Sequence, residues 1–320
     1  MLAAWLLLLP AAVMVLGVLA YPVAWEAWVS LTNLSPQLDG PARFVGLANY
    51  ARLLTDPAYR FWPAAATTLA YVALTAALKL AIGVPLALLL HRPFPGRALA
   101  LLAVFLPWVY PASVAVIGWY WTLNPPLITS YSLAVGHAKY AVDSALGTGA
   151  WAFLSVAAFN VWRGGSFTAV FLLAGLAAIP AALLESARLE GGSAWRRFWL
   201  VTVPLLRPFL ALAVFLSLTT AFADLANVWM LTGGRIVFPV IGTQAYWLGI
   251  NSGQLGLASA LSLTLVPPLL ATLWALFRLF EPAEEDSWEG GSAPLPNLPP
   301  RLRRQSRRSN SRSAVATGEP

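Results

Sequence analysis

The 320-residue chain has no cysteine and only two histidines, His91 and His137. Without thiols there can be no disulfide framework, thiolate nucleophile or cysteine-based metal centre, and two imidazoles leave little for a histidine-based one. Charge is scarce too: 10% of residues are Asp, Glu, Lys or Arg, against about 25% in a soluble domain. That shortage excludes a soluble enzyme, a disordered regulator and a disulfide-rich secreted module. No stretch has the G-x-x-x-x-G-K-[ST] spacing that cradles nucleotide phosphates, so a P-loop nucleotide site is excluded too.

What the chain has is apolar length. Hydrophobic residues make up 59% and the mean hydropathy is +0.69. A helix needs about 20 mostly apolar residues to cross the ~30 Å hydrocarbon layer. Six stretches qualify, at about 2–24, 66–90, 98–121, 150–176, 203–223 and 255–280. The expected fold is an all-α integral membrane protein of six transmembrane helices. The first stretch has no basic leader and outruns the ~7–15-residue core of a signal peptide, so it reads as a retained span. Trp25, Trp28, Trp62, Trp229 and Trp247 fall near predicted span ends, where aromatic belts form.

The net charge of +7 does not describe a folded basic face. Six of the 20 basic residues lie between Arg301 and Arg312, so nucleic acid is not an expected partner. With six spans, thirteen Lys/Arg fall on one side and five on the other; Lys79 and Arg163 lie within spans. Positive charge favours the cytoplasm, which places both termini there. Residues 1–281 read as the membrane domain. Residues 282–320 turn acidic, then Pro-rich, then Arg/Ser-rich, and read as a disordered cytoplasmic tail.

One cytoplasmic loop stands out, between spans four and five. Pro180 suits the first turn of a helix. Good helix formers follow, with Glu185 and Arg188 on one face. Gly191-Gly192 ends the helix, Ser193 can cap an amphipathic piece bearing Trp195 and Phe198, and Pro204 marks re-entry into the membrane. The product is a surface helix of roughly 15 Å, held by spans at both ends.

This segment resembles the EAA loop of binding-protein-dependent ABC transporter permeases, which reads Glu-Ala-Ala, two residues, Asp-Gly-Ala, then aromatic and basic residues to a proline. Here it runs Glu185-Ser186-Ala187, two residues, Glu190-Gly191-Gly192, then Trp195, Phe198 and Pro204. The departures, at Ser186, Glu190 and Gly192, keep size or charge approximately. Tyr21-Pro22, Val45-Gly46-Leu47-Ala48-Asn49-Tyr50 and Leu231-Thr232-Gly233-Gly234 are similar to the sugar and glycerol-phosphate branch. The resemblance implies a coupling helix in which Glu185, Ala187, Arg188, Glu190, Gly191 and Gly192 meet a cytoplasmic ATPase. It also implies a second permease subunit, an ATPase dimer that binds the ATP, an extracytoplasmic solute-binding protein, surrounding membrane lipid and a bacterial inner membrane. No cofactor belongs to the chain itself, and no enzymatic activity is expected.

For the transport path, Asn160-x-Trp162-x-Gly164 resembles the maltose-type permease, whose matching positions line the sugar site. Carried over, these are Asn160, Gly164 and Phe167. Asn160 can instead make an interhelical hydrogen bond. Asp224 can pair with Arg163, contact substrate or sit at the interface. Ser217 and Thr220 share its face by helical spacing. Lys79 is expected to snorkel or to pair inside the bundle. The expected cargo is a sugar or oligosaccharide. The alternative is an organophosphate such as glycerol 3-phosphate, which would need Arg163 or Lys79. An ion-coupled secondary transporter would leave the EAA-like loop unexplained. An intramembrane hydrolase would need a better match than Gly249-Ile250-Asn251-Ser252-Gly253.

Overall fold

A computed structural model describes residues 9–10, 13–36, 41–123, 149–189, 193–234 and 236–280. Their secondary structure is helical, apart from an isolated antiparallel bridge between Thr32 and Phe44. A π-helical segment (Val15–Ala20) leads into α1 (Tyr21–Ser30). After α2 (Ala48–Thr55) comes the 31-residue α3 (Phe61–His91). Then follow α4 (Arg97–Val109), α5 (Ala112–Leu123), the 29-residue α6 (Gly149–Ala177), α7 (Ala181–Leu189) and α8 (Ala194–Arg197). A π turn (Phe198–Thr202) joins α8 to α9 (Val203–Phe222). The chain continues with α10 (Leu225–Leu231), α11 (Ile241–Tyr246), a second π turn (Trp247–Asn251), α12 (Leu255–Leu263) and α13 (Val266–Phe280).

Four stretches among the described residues are long and apolar enough to cross a bilayer: 57–91, 149–177, 194–222 and 255–276. They match the predicted second, fourth, fifth and sixth spans. The third, expected as one helix over 98–121, is bent by 92° between α4 and α5. Proline causes the break. Pro111 lacks the N–H that the Pro107 carbonyl would accept, and it pushes Tyr110 into an extended conformation (ψ 133°). The first span, expected at 2–24, is described from residue 9 onward in part, and its helix runs on to Ser30. The fifth begins earlier than residue 203, because the amphipathic piece after Ser193 is continuous with it. Pro204 is accommodated by the wide turn before it, in which Val203 N–H bonds the Phe198 carbonyl five residues back. The predicted tail, 282–320, lies outside the described residues.

The centre of the bundle is the pair α3 and α6, which run parallel. Successive contacts advance in step: Tyr71 meets Phe153 edge-on, Lys79 lies on Gly164, and Gly83 faces Thr168 and Ala169. Without a hydrophobic drive between helices in lipid, close approach of small residues carries the packing. Gly83 and Gly175 allow it, since a Cβ on Gly175 would run into Leu206 and Phe209 of α9. Two apolar clusters lie along this seam. Tyr71, Val156, Phe159 and Leu231 anchor one, and Leu90, Leu172, Leu176 and Leu206 the other.

The region between the fifth and sixth spans, to which the sequence assigns no span, is folded onto the bundle. Leu231, Thr232, Ile241 and Gln244 are all buried, and Ile241 N–H is accepted by Thr68 Oγ of α3 at 2.9 Å. The Val45-to-Tyr50 segment has an equally local purpose. Asn49 is buried and donates to the carbonyls of Ser30 and Thr32, both at 2.8 Å, filling orphan acceptors at the end of α1.

Candidate functional site

Polar groups inside the bundle gather around Asp224, in the turn where α9 gives way to α10. Its carboxylate is buried and accepts from Tyr71 Oη at 2.6 Å, from Asn160 Nδ2 at 2.5 Å and from Asn227 Nδ2 at 2.5 Å. A carboxylate withdrawn from water needs such donors, because an unpaired buried charge is very costly. Three donors from α3, α6 and α10 tie three separate elements to one side chain. Asn160 thus makes the interhelical bond, and its Oδ1 is buried without a partner among the described residues. Two turns along α3 lies Lys79, 2% exposed, its aliphatic stem packed on the bare Cα of Gly164.

Arg163 does not pair with Asp224. It reaches the break between α4 and α5, where Nε donates to the Pro107 carbonyl (3.3 Å) and a terminal nitrogen to the Tyr110 carbonyl (3.2 Å), with the guanidinium over the Trp108 ring. These are acceptors that the proline break leaves without helical partners. Of the other predicted path residues, Phe167 is half-buried between Trp108 and Phe171. Ser217 is buried and Thr220 exposed, so the two straddle the edge of a packed face. Thr220 Oγ bonds back to the Leu216 carbonyl at 2.7 Å.

The second candidate region is the surface helix α7. It leaves the end of α6 through Pro180, which sits one residue ahead of the helix and accepts from Leu183 N–H. Glu185 and Arg188 are exposed, whereas Ala187 is 9% exposed and turned toward the bundle. Ser193 accepts from Arg196 N–H at 3.3 Å and caps α8, as the sequence predicts. Glu190, Gly191 and Gly192 lie outside the described residues.

A scan against protein-family profiles finds no match. Curated relatives do match along most of the chain. The trehalose transport system permease protein SugA of Mycobacterium tuberculosis is 32% identical over 281 residues, covering 87% of this chain and 88% of the relative. This chain belongs to the sugar branch of the ABC transporter permeases. The sulfoquinovosyl glycerol transport system permease protein SmoG of Agrobacterium fabrum is 32% identical over 231 residues, covering 72% of this chain and 73% of its own. The trehalose/maltose permease protein MalF of Thermococcus litoralis is 30% identical over 272 residues, covering 81% and 87%. The fold agrees with that of a bacterial ABC transporter for the import of alginate: TM-score 0.67 at 19% identity, covering 87% of this chain and 96% of that one. That transporter has also been solved with an alginate pentasaccharide-bound periplasmic protein.

An ABC permease is a multi-pass membrane transport subunit and not an enzyme. Among its polar residues, the sequence reading overlooked Tyr71. The signal was present: Thr68, Tyr71, Thr75, Lys79 and Gly83 recur at spacings of three and four along an otherwise apolar helix. All five are buried, forming one polar and small-residue stripe toward α6 and α9.

Proposed function

We propose that the chain is one of two membrane subunits of a binding-protein-dependent importer for a neutral sugar or oligosaccharide. It crosses a bacterial inner membrane six times with both termini in the cytoplasm. A separate ATPase dimer binds and hydrolyses ATP, and an extracytoplasmic protein delivers the solute. The observation that carries this reading is α7: a short helix with exposed Glu185 and Arg188, held between the ends of two spans. Glu185, Ala187, Arg188, Glu190, Gly191 and Gly192 would form the contact through which nucleotide closure biases the membrane helices.

A neutral cargo is favoured over an organophosphate because Arg163 is engaged with backbone carbonyls of the α4–α5 break. For the path itself, exposed Thr220 and half-buried Phe167 are the candidates for sugar contact. Asn160, Gly164, Ser217 and Asp224 would shape the path from within the bundle.

Because the native chain lacks cysteine, Ser186→Cys introduces a single thiol on the exposed face of α7. In the assembled transporter, a short bifunctional cross-linker at this thiol should capture the ATPase subunit, and ATP should change its yield. If no nucleotide-hydrolysing subunit is ever captured, while a control thiol in α2 labels normally, the coupling role is lost.

A further inference from the structure

The ends of α3 and α6, with α7 and the start of the fifth span, enclose a cleft of about 470 Å³, within the ~300–1,000 Å³ usual for small-molecule sites. Its wall is apolar, built from Val84, Leu88, Leu176, Phe198 and Val201. Its mouth carries Arg92, Arg188, Arg197 and His91, and among the described residues no Asp or Glu lines it. Two residues of the proposed coupling contact, Ala187 and Arg188, line it from α7.

The two halves of the cleft make different demands. A soluble anion would meet the positive mouth and leave the wall wet. An apolar solute would satisfy the wall and gain nothing from the cations. Beside the cleft, Leu89 of α3 is 56% exposed and Leu200 of the fifth span 64%, an apolar surface that bilayer can cover. Arginine matches phosphate oxygens with parallel N–H donors, and basic pockets between helix ends at the cytoplasmic face suit anionic lipid headgroups.

We propose that this cleft holds one anionic phospholipid, its phosphate at Arg92 and Arg188 and an acyl chain along the Val84–Leu88 wall. The lipid would then touch α3, α7 and the fifth span together, making it part of the support beneath the surface helix. The proposal rests on the reading that this end of the bundle meets the cytoplasmic leaflet.

The test is native mass spectrometry of the assembled transporter, purified with equimolar phosphatidylglycerol and phosphatidylcholine of matched acyl chains. The wild type should retain phosphatidylglycerol at least fivefold over phosphatidylcholine. Arg92→Gln should cut that preference about fivefold, the change expected from one arginine near a lipid surface. Leu88→Trp, which fills the wall without changing charge, should abolish the bound lipid. Where Leu88→Trp fails to assemble, Val201→Trp probes the same wall from the opposite side. Equal retention of the two lipids by the wild type overturns the proposal, as does undiminished phosphatidylglycerol on the tryptophan variant. The same spectra count ATPase subunits. Phosphatidylglycerol held on a complex without them would sink the coupling role and leave this site standing.

Discussion

Arg163 brings a charge into a span, where ionisable side chains are costly and usually matched. Its match here is a defect in another helix. Proline breaks the third span, two carbonyls lose their helical donors, and a guanidinium from α6 supplies replacements at 3.3 and 3.2 Å. Arg163→Gln should therefore act on stability before transport. A buried acceptor left unpaired costs about 1–3 kcal/mol, so the purified transporter should unfold at a lower temperature, while Arg163→Lys recovers part of the loss. Thermal unfolding in detergent, with solute and ATP absent, checks this. A variant with unchanged Tm and lost uptake would place Arg163 in the path instead. From sequence, Arg163 could be marked as anomalous but not assigned, since its partners are backbone atoms freed by Pro111 in a different span. Asp224 posed the same difficulty. Asn227 is near it in sequence, but Tyr71 and Asn160 reach it across 153 and 64 residues.

At the scale of elements, the α3–α6 seam depends on where bulk is left out. A Cβ at Gly83 would come within 2.7 Å of Thr168 Cγ2, 3.0 Å of its Cβ and 3.2 Å of the Ala169 backbone nitrogen. Thr168 is β-branched and stiff at χ1, and backbone cannot move aside locally. A Cβ at Gly164 would overlap Lys79 instead, a flexible stem with several rotatable bonds. Gly83→Ala should thus destabilise by about 1–3 kcal/mol, the usual cost of overpacking, and Gly164→Ala by less. Comparing detergent Tm values of the two variants checks the order, and a larger loss at Gly164 would contradict this account of the seam. Much of this scale is legible beforehand. The long apolar runs marked spans two, four, five and six to within a few residues at most ends. What escaped were the breaks, since a proline announces a weak point but tertiary contact decides between a wide turn at 198–202 and a 92° bend at 110–111. The short helices at 225–251 were also missed, because their apolar residues serve packing rather than crossing.

At the scale of the molecule, the surface that this chain leaves uncovered bears on its partners. In the 194–222 span only 17% of the most apolar window is buried, and on α1 and its lead-in Leu16, Leu19, Tyr21 and Trp25 are more than half exposed. Bilayer and a second subunit are the two environments that can cover such faces, since only satisfied helices tolerate lipid. The number of crossings fixes which loops those partners meet. Six spans put α2 outside and the tail inside, and losing one of the five crossings between them would put them on the same side. Two single-thiol variants separate the cases cleanly in a chain without cysteine: Ala51→Cys on exposed α2 and Ser306→Cys in the tail. A membrane-impermeant maleimide added to spheroplasts should label the first at once and the second only after lysis. Immediate labelling of both would remove one crossing. The third span would be the place to look, because its two helices, Arg97–Val109 and Ala112–Leu123, are bent by 92° and can return to the side they came from.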